Sequence, residues 1–362
     1  MRKAGERNPN RRIWLQLKKF RMANRKTKNQ EETTMKHLRS IVLASIGLLM
    51  TASVSADELK LAHFSSTKYH LHNEMFLPLA DKISEATGGD TTIRVYPAGE
   101  LGAGPVKQYD RVLDGVADIV YALPGYTASQ FKKTLLVELP GVVPGNKDIT
   151  RKMWNNIDVI GDEFRRTKLL GLWSAEPAKL LMAEKKIEKM SDLAGLKIRV
   201  PSKNTGRVIE AWGATAVSMP ITQVYQSLDT GVVDGVLVDT SVLTSFKLGE
   251  VVKYVTTGMD GSNSLFMLVM NRDSWDGLDD DTQAKLAAMT GAAMSQGGHV
   301  TMSTSGVKAL KKWESNGGEV IRLSPERAAE FDAASSKLAT ALIAELEADG
   351  IKAKQWADAL KN

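Results

Sequence analysis

The stretch "DLAGLKIRVPSKNTG", residues 192–206, reads as a buried strand that carries one cationic side chain. Apolar Leu196, Ile198 and Val200 alternate with other residues along it, as they do in a strand. Arg199 stands between two β-branched residues of this run. A charge in a buried strand requires a partner or a function, because unpaired buried charges are costly. Arg199 is therefore the first candidate for a functional residue.

The chain upstream of this strand opens with an α/β pattern. Residues 59–64 predict a strand, and residues 91–96 predict a second one that ends at Pro97. Between them, Met75, Phe76, Leu79 and Ile83 recur at helical spacing before Gly88-Gly89. Strand, helix and strand in this order are typical of an α/β domain with a parallel sheet.

Two segments repeat the same step from helix to strand. They are "VLDGVADIVYALPG" (112–125) and "SLDTGVVDGVLVDTS" (227–241). Gly115 and Gly231 fit the left-handed position that closes a helix. The repetition indicates two similar α/β lobes. Ligands bind beyond the carboxyl ends of parallel strands, so we expect a site at loops 123–126 and 239–241.

Two further strand-like segments could carry the chain between lobes. They are "GLWSAEPAKLLM" (171–182), which contains a proline break, and "SLFMLVMN" (264–271). The chain beyond Asp279 is largely helical by its apolar spacing, and Asp279 itself predicts an N-terminal cap. The helical region contains no pattern that points to chemistry, and we interpret it as packing.

Charge and apolar residues divide the chain into a leader and a mature part. Residues 1–56 hold 13 Lys and Arg against 3 Asp and Glu, so the rest of the chain carries a net charge of −4, which argues against a nucleic acid partner. We expect residues 1–34 to be an upstream extension outside the native product, and residues 35–56 to be a secretory signal peptide cleaved after Ala56. An uncleaved signal anchor is the alternative. The chain has no cysteine, so export would not bring disulfides.

No convincing reaction centre emerges from the motifs. Ser65 and Lys68 match the S-x-x-K pattern of acyl-serine enzymes, but the accompanying K-T-G and Ser-Asp-Asn motifs are missing from the sequence. His63, His70 and His72 lack the acidic or cysteine ligands that would complete a metal shell. Neither a phosphate loop nor a nucleophile elbow is present. We therefore predict no enzyme activity, no metal and no cofactor.

Several pieces of the mature chain, in order, resemble the DctP family, the solute-binding proteins of TRAP transporters. The matching pieces are "LKLAHFSS" with a following His70, "TGGDTTIRVYPAGELG", the segment from Val112 to Ile119, "ELPG" (138–141), "LGLW" (170–173), "MSDLAGLKIRVP", "WGATAVSMPITQVYQSLDTGVVDG" and "MNRDSWDGLDDDTQAKL". The resemblance covers nearly the whole mature chain. Its strongest part is the Gly-Leu-Lys-Ile-Arg-Val-Pro run, followed about 35 residues later by Gly-x-Val-Asp-Gly.

The resemblance implies the fold of the type II periplasmic binding proteins. This fold has two α/β lobes joined by hinge strands, with a helical C-terminal region. We expect residues 57–176 and 265–304 to form lobe I, and residues 177–264 and 305–362 to form lobe II.

The resemblance also implies that Arg199 clamps a ligand carboxylate. A guanidinium is a planar, permanently charged donor and suits bidentate recognition of a carboxylate. The alternative is an Arg199 permanently paired with Asp239 or Asp234. The other residues predicted to face the ligand are Lys179, Asp239, Trp173, Tyr126, Phe64, His70 and Trp212. Asp239 stands where the family often has an amide, which favours a monocarboxylate, hydroxylated or aromatic, over a dicarboxylate or sialic acid.

The expected function is that of a periplasmic receptor for a small organic acid. It would deliver its ligand to the small and large permease subunits of an ion-gradient-driven transporter, without stable membrane insertion after signal cleavage. Two alternatives remain at this stage. One is a ligand-sensing receptor, and the other is an exported serine hydrolase that uses Ser65 and Lys68.

Overall fold

The computed structural model describes residues 57–361, which contain two mixed β-sheets flanked by helices. The predicted extension and signal peptide, residues 1–56, lie outside the described residues. Among the described residues, no helix combines the length and the apolar character needed to cross a membrane.

The first sheet has the strand order β2-β1-β3-β10-β4. Strands β1, β2 and β3 are parallel, whereas β10 runs antiparallel to both β3 and β4. The strands are β1 Asp57–Ala62, β2 Thr91–Tyr96, β3 Ile119–Ala122, β4 Thr167–Ser174 and β10 Leu265–Asn271. The predicted strands at 59–64 and 91–96 and their parallel pairing are thus confirmed, apart from the bounds of the first.

The second sheet has the strand order β11-β9-β5-β8-β6-β7. Strand β6 is parallel to β7 and β8, and β5 runs antiparallel to β8 and β9. The strands are β5 Lys179–Met182, β6 Lys197–Val200, β7 Thr215–Ser218, β8 Gly235–Val238, β9 Tyr254–Thr257 and β11 Glu319–Arg322. The strand predicted around Arg199 is therefore real, and it lies inside its sheet.

Helices cover both sheets and build most of the C-terminal third of the chain. The α-helices are α1 Leu77–Ala86, α2 Gln108–Leu113, α3 Ile149–Asn155, α4 Lys203–Ala211, α5 Val224–Asp229, α6 Val242–Ser245, α7 Arg272–Asp276, α8 Asp280–Met289, α9 Gly291–Ser315, α10 Pro325–Ala348 and α11 Ala353–Ala359. A π-helical turn, His72–Phe76, leads into α1, and short 3₁₀ turns lie at Pro124–Thr127, Thr134–Glu138, Pro144–Asn146, Ile157–Val159, Gly161–Phe164, Met190–Leu193, Ile221–Gln223 and Leu248–Glu250.

The local signals for helix ends are confirmed. Gly115 follows α2 with φ 67°, and Gly231 follows α5 with φ 71°, so both occupy the left-handed region that a side chain disfavours. The carboxylate of Asp279 accepts hydrogen bonds from the backbone N–H groups of Asp281 and Thr282, at 3.0 and 2.9 Å, and so caps α8. Each repeated step runs from a helix through a glycine into a parallel strand.

Two segments carry the chain between the sheets, one inside the predicted stretch 171–182 and the other directly before β10, which fills most of the predicted stretch 264–271. Residues 175–178 join β4 to β5, and residues 258–264 join β9 to β10. The two segments are hydrogen-bonded to each other, from Ala175 N to Ser264 O at 2.9 Å and from Ala178 N to Ser262 O at 2.7 Å. Helix α9 also spans the two parts, since it contacts both β4 and α6. The lobe boundaries themselves stay a prediction.

Candidate functional site

A cavity lies beyond the carboxyl ends of β3 and β8. Both loops that the sequence analysis selected contribute to its wall. Its lining residues are Phe64, Tyr69, Tyr121, Leu123, Tyr126, Arg199, Pro201, Ile221, Val238, Asp239, Ser241, Val242, Phe246, Ser264, Phe266 and Met302. The cavity therefore draws on strands and loops of both sheets, and most of its wall is apolar.

Arg199 brings a positive charge into this apolar wall. Its side chain is 1% exposed, and its Nε donates to the carbonyl oxygen of Met219 at 2.9 Å. Within residues 57–361, it forms no ion pair with a carboxylate. Asp234, one of the two suggested partners, instead accepts from the backbone N–H of Lys197 at 2.7 Å. Burial lowers the pKa of Arg199, and nearby Tyr126 and Asp239 partly offset this.

The hydroxyl of Tyr126 is hydrogen-bonded to the guanidinium of Arg199. This hydroxyl accepts from Arg199 Nη2 at 3.3 Å and from the backbone N–H of Ile221 at 3.0 Å. The residue lies in the 3₁₀ turn Pro124–Thr127 directly after β3, on the first sheet, whereas its two partners belong to the second. Tyr126 thus links the two sides of the cavity at the point where the charge of Arg199 is presented.

Asp239 adds a carboxyl group to the same cavity. It is 3% exposed, and its Oδ1 accepts from both the backbone N–H and the hydroxyl of Ser241. Burial raises the pKa of Asp239 from 3.8 to about 6, against the hydrogen bonds from Ser241, and the nearby Glu176 raises it further. Asp239 is close enough to Arg199 to affect its pKa, but the two side chains are not hydrogen-bonded.

The structure places Lys179 outside the lining of this cavity. Its Nζ pairs with Glu176 at 2.9 Å and donates to the carbonyl oxygen of Pro177 at 3.3 Å. Glu176 in turn accepts from the backbone N–H of Thr240 at 2.9 Å and from the Thr240 hydroxyl. The charge of Lys179 is therefore neutralised by Glu176. Lys179 does not line the cavity and forms no ion pair with Asp239.

A stack of aromatic rings forms one side of the cavity. Tyr121 stacks on Phe64 with ring centroids 5.3 Å apart and on Phe266 at 5.6 Å. The hydroxyl of Tyr121 is hydrogen-bonded to that of Tyr69 at 2.8 Å. Flat, rigid rings of this kind match a flat apolar ligand at small entropic cost.

Three other predicted aromatic or imidazole residues do not line the cavity. Trp173 stacks on Tyr121 with ring centroids 5.9 Å apart, but it is not part of the cavity lining. Trp212 is buried beside α10, where its Nε1 donates to Ser335 Oγ at 2.9 Å. His70 packs on Tyr69 with centroids 4.2 Å apart, and burial lowers its pKa to about 4. Of the eight predicted residues, the structure brings together Phe64, Tyr126, Arg199 and Asp239.

The sequence analysis missed several lining residues, chiefly Tyr69, Tyr121, Phe246 and Phe266. Tyr121 and Phe266 lie in strands whose apolar character reads as ordinary core. Ser241 was within reach of prediction, because it belongs to the selected loop 239–241. Among residues 57–361, no group of three or more side chains is arranged to hold a metal ion.

The chain is similar to solved structures of TRAP solute-binding proteins. One, from an unidentified marine microbe, is specific for aromatic acid ligands and contains metahydroxyphenylacetate. It is 28% identical, with a TM-score of 0.80, and the match covers 84% of this chain and 97% of that one. Another, from Rhodoferax ferrireducens T118, contains copurified benzoate. It is 25% identical, with a TM-score of 0.80, over 84% of this chain and 96% of that one.

Sequence comparison leads to the same class of protein. The ectoine-binding periplasmic protein TeaA of Halomonas elongata is 26% identical over 262 residues, which are 69% of this chain and 74% of the relative. These relatives are binding proteins, so the prediction that the chain is not an enzyme is confirmed. Residues 61–346 match the family "Bacterial extracellular solute-binding protein, family 7", and the chain therefore belongs to the DctP family of periplasmic TRAP solute-binding proteins.

Proposed function

We propose that this protein captures a small monocarboxylate in the cavity and delivers it to the membrane subunits of a TRAP transporter. Arg199 binds the carboxylate, and Tyr126 and the backbone of Met219 hold the guanidinium in place. One observation carries the proposal: Arg199 is 1% exposed, lines a cavity and has no carboxylate partner within residues 57–361. A buried guanidinium that no carboxylate contacts directly is unfavourable, so an anionic ligand supplies a direct partner for it.

The walls of the cavity favour an aromatic acid. Phe64, Tyr121 and Phe266 form an aromatic wall on one side of the cavity, and a benzene ring can pack against such a wall. The two similar structures hold metahydroxyphenylacetate and benzoate, which are both aromatic monocarboxylates. We therefore place benzoate and its hydroxylated relatives first among the ligand candidates.

Capture would work as a shift between open and closed arrangements of the two predicted lobes. A ligand that contacts Arg199 on one side and the aromatic wall on the other favours the closed arrangement by its differential affinity. The segments 175–178 and 258–264 are the places where such a hinge would bend. The small and large permease subunits would then recognise the closed form, and the ion gradient that drives such transporters would supply the energy.

A thermal-shift screen of organic acids tests the ligand class. We expect aromatic monocarboxylates to raise the melting temperature, because a ligand at one hundred times its Kd stabilises the native state by about 2.7 kcal/mol. For a chain of this size the shift is roughly 5 °C. Benzamide and benzyl alcohol, which keep the ring but lack the anion, serve as controls. Equal stabilisation by these neutral compounds would contradict the carboxylate clamp.

Tyr126→Phe should weaken carboxylate binding about tenfold. The change removes the oxygen that accepts from Arg199 Nη2 and Ile221 N, and a buried donor left unsatisfied costs about 1–3 kcal/mol. Isothermal titration calorimetry with benzoate measures the change in Kd. The matched control is Tyr225→Phe, which deletes a hydroxyl that donates to Glu250 Oε2 at 2.9 Å on the surface. If both variants bind like the wild type, Tyr126 does not position the guanidinium.

A further inference from the structure

The cavity contains a second ionisable group whose charge the proposed function does not use. Asp239 lines the wall together with Arg199 and is 3% exposed. Its Oδ1 is taken by Ser241, and within the described part of the chain no donor lies within hydrogen-bond distance of its Oδ2. One oxygen of this carboxyl group is therefore left for whatever occupies the cavity.

The groups that face Asp239 do not neutralise it. On the hinge side, Glu176 and Lys179 form their own ion pair at 2.9 Å. From β6, Arg199 is close enough to interact electrostatically without a hydrogen bond. On the aromatic wall, burial raises the pKa values of Tyr69 and Tyr121, and the charge of Asp239 raises them further. Both hydroxyls therefore remain protonated at neutral pH.

An anionic ligand adds its charge to those of Arg199 and Asp239 in the cavity. With Asp239 ionised, the one negative charge of Asp239 already balances the one positive charge of Arg199 inside the cavity. A bound carboxylate would then leave two anions beside a single cation in a space with little water. Two carboxylates that share such a site do not both stay ionised, because like charges at short range raise one of the two pKa values strongly.

We propose that Asp239 takes up one proton from solvent when a ligand carboxylate binds beside Arg199, so that the charge of the cavity admits a single carboxylate. The inference rests on the proposed function. A buffer acid gives its proton to Oδ2 of Asp239, and the resulting O–H becomes a donor toward the ligand. The positive charge of Arg199 and the negative charge of the ligand then balance. A dicarboxylate would bring a second negative charge for which the cavity holds no further cation.

Burial already raises the pKa of Asp239 to about 6 in the protein without ligand. At pH 7 the group is then mostly ionised before binding, and a neighbouring ligand carboxylate moves the balance toward the protonated form. For full protonation at pH 7, the ligand carboxylate must raise the pKa of Asp239 further, to well above about 8. Linkage makes the effect reciprocal, so proton binding strengthens ligand binding by the same factor.

Calorimetry with benzoate as the probe measures the proton directly. Titrations at pH 7 in phosphate and in Tris, whose ionisation enthalpies differ, give the number of protons taken up per ligand. We expect a value close to one for the wild type, and a Kd that rises about tenfold between pH 7 and pH 8. In Asp239→Asn, uptake should fall to near zero and the Kd should become independent of pH. The control Glu163→Gln removes a half-buried carboxyl group outside the cavity and should keep the wild-type uptake.

The charge limit is tested with isophthalate, which is benzoate with a second carboxylate. We expect wild-type protein to bind isophthalate at least one hundred times more weakly than benzoate, and Asp239→Asn, which is neutral like the protonated acid, to keep a similar ratio. Benzoate binding that depends on Arg199 but brings no proton uptake would overturn this inference and leave the proposed function intact. Wild-type affinity for benzoate in Arg199→Ala, or no benzoate binding by the wild type, would overturn the proposed function as well.

Discussion

Arg199→Ala removes the binding of small carboxylates while the protein still folds. Truncating one partner of a buried, hydrogen-bonded charge pair costs about 2–5 kcal/mol, so we expect the Kd for benzoate to rise roughly 30- to 5000-fold. The native state should tolerate the change. Burial lowers the pKa of Arg199, which means that the buried charge reduces the stability of the protein without ligand. Replacement by alanine removes this unfavourable contribution. Titration calorimetry and thermal unfolding measure the two effects separately.

Two further variants distinguish the clamp from a general effect of charge. Arg199→Lys keeps the cation but not the planar fork, so it cannot hold Met219 O and Tyr126 together, and we expect an intermediate Kd. Arg207→Ala removes an arginine that pairs with Glu345 on the surface at 2.7 Å, and binding should stay as in the wild type. If Arg199→Ala binds benzoate with unchanged Kd, the site of carboxylate recognition lies elsewhere.

The position of the site could be predicted from the sequence because local signals decide it. Gly115 and Gly231 end helices in the left-handed region, and the strands that follow them point their carboxyl ends toward the cavity. The loops after these strands supply Tyr126 and Asp239. Arg199 could be found because a cation between β-branched residues contradicts the pattern of a buried strand. Each of these signals acts within a few residues of the chain.

The ring layer around the cavity could not be predicted, because it depends on contacts between distant elements. Trp173 is paired with Phe266 across β4 and β10, and α9 fills the space on its other side. A side chain at Gly298 of α9 would come within 2.9 Å of the Trp173 ring, so this helix packs directly on the indole. Residue type alone does not reveal that Tyr121 and Phe266 line the cavity while Trp173, which stacks on both, does not.

The ion-pair partner of Lys179 could not be predicted from the sequence for the same reason. Its partner Glu176 is three residues away, on the other side of a proline, and Glu176 is itself held by the backbone of Thr240. Lys179 begins β5 and is paired with Val238 next to Asp239, so Glu176 and Asp239 are both acids that could neutralise it. The turn at residues 175–178 directs Lys179 toward Glu176, and that turn is fixed by its hydrogen bonds to residues 262–264.

Glu138 leads to the second large effect, on stability at alkaline pH. Its carboxyl group is 2% exposed and accepts from the hydroxyl of Ser202, which caps α4, at 2.5 Å. Its backbone carbonyl accepts from the N–H of Asn263 at 3.3 Å. Within residues 57–361, Glu138 has no cation as a partner. Burial therefore raises the pKa of Glu138 from 4.5 to about 8.

The sign of the pH dependence follows from this raised pKa. Between pH 4.5 and 8 the native state keeps a proton on Glu138 that the unfolded chain has lost. The free energy of unfolding therefore falls as the pH rises through this window, and the loss is complete above the native pKa. At pH 5 the unfolded chain has already lost most of this proton, but the penalty accumulated by that pH is only about 1 kcal/mol.

Glu138→Gln should consequently stabilise the protein at pH 8 by on the order of 3 kcal/mol more than at pH 5. Glutamine has the shape of the protonated acid, and its amide can still hydrogen-bond with Ser202. Urea unfolding of wild type and variant at both pH values measures the difference, with the exposed Glu85→Gln as the control. Parallel dependence of stability on pH in wild type and Glu138→Gln would mean that Glu138 is ionised in the native state, and that the hydroxyl of Ser202 alone offsets its burial.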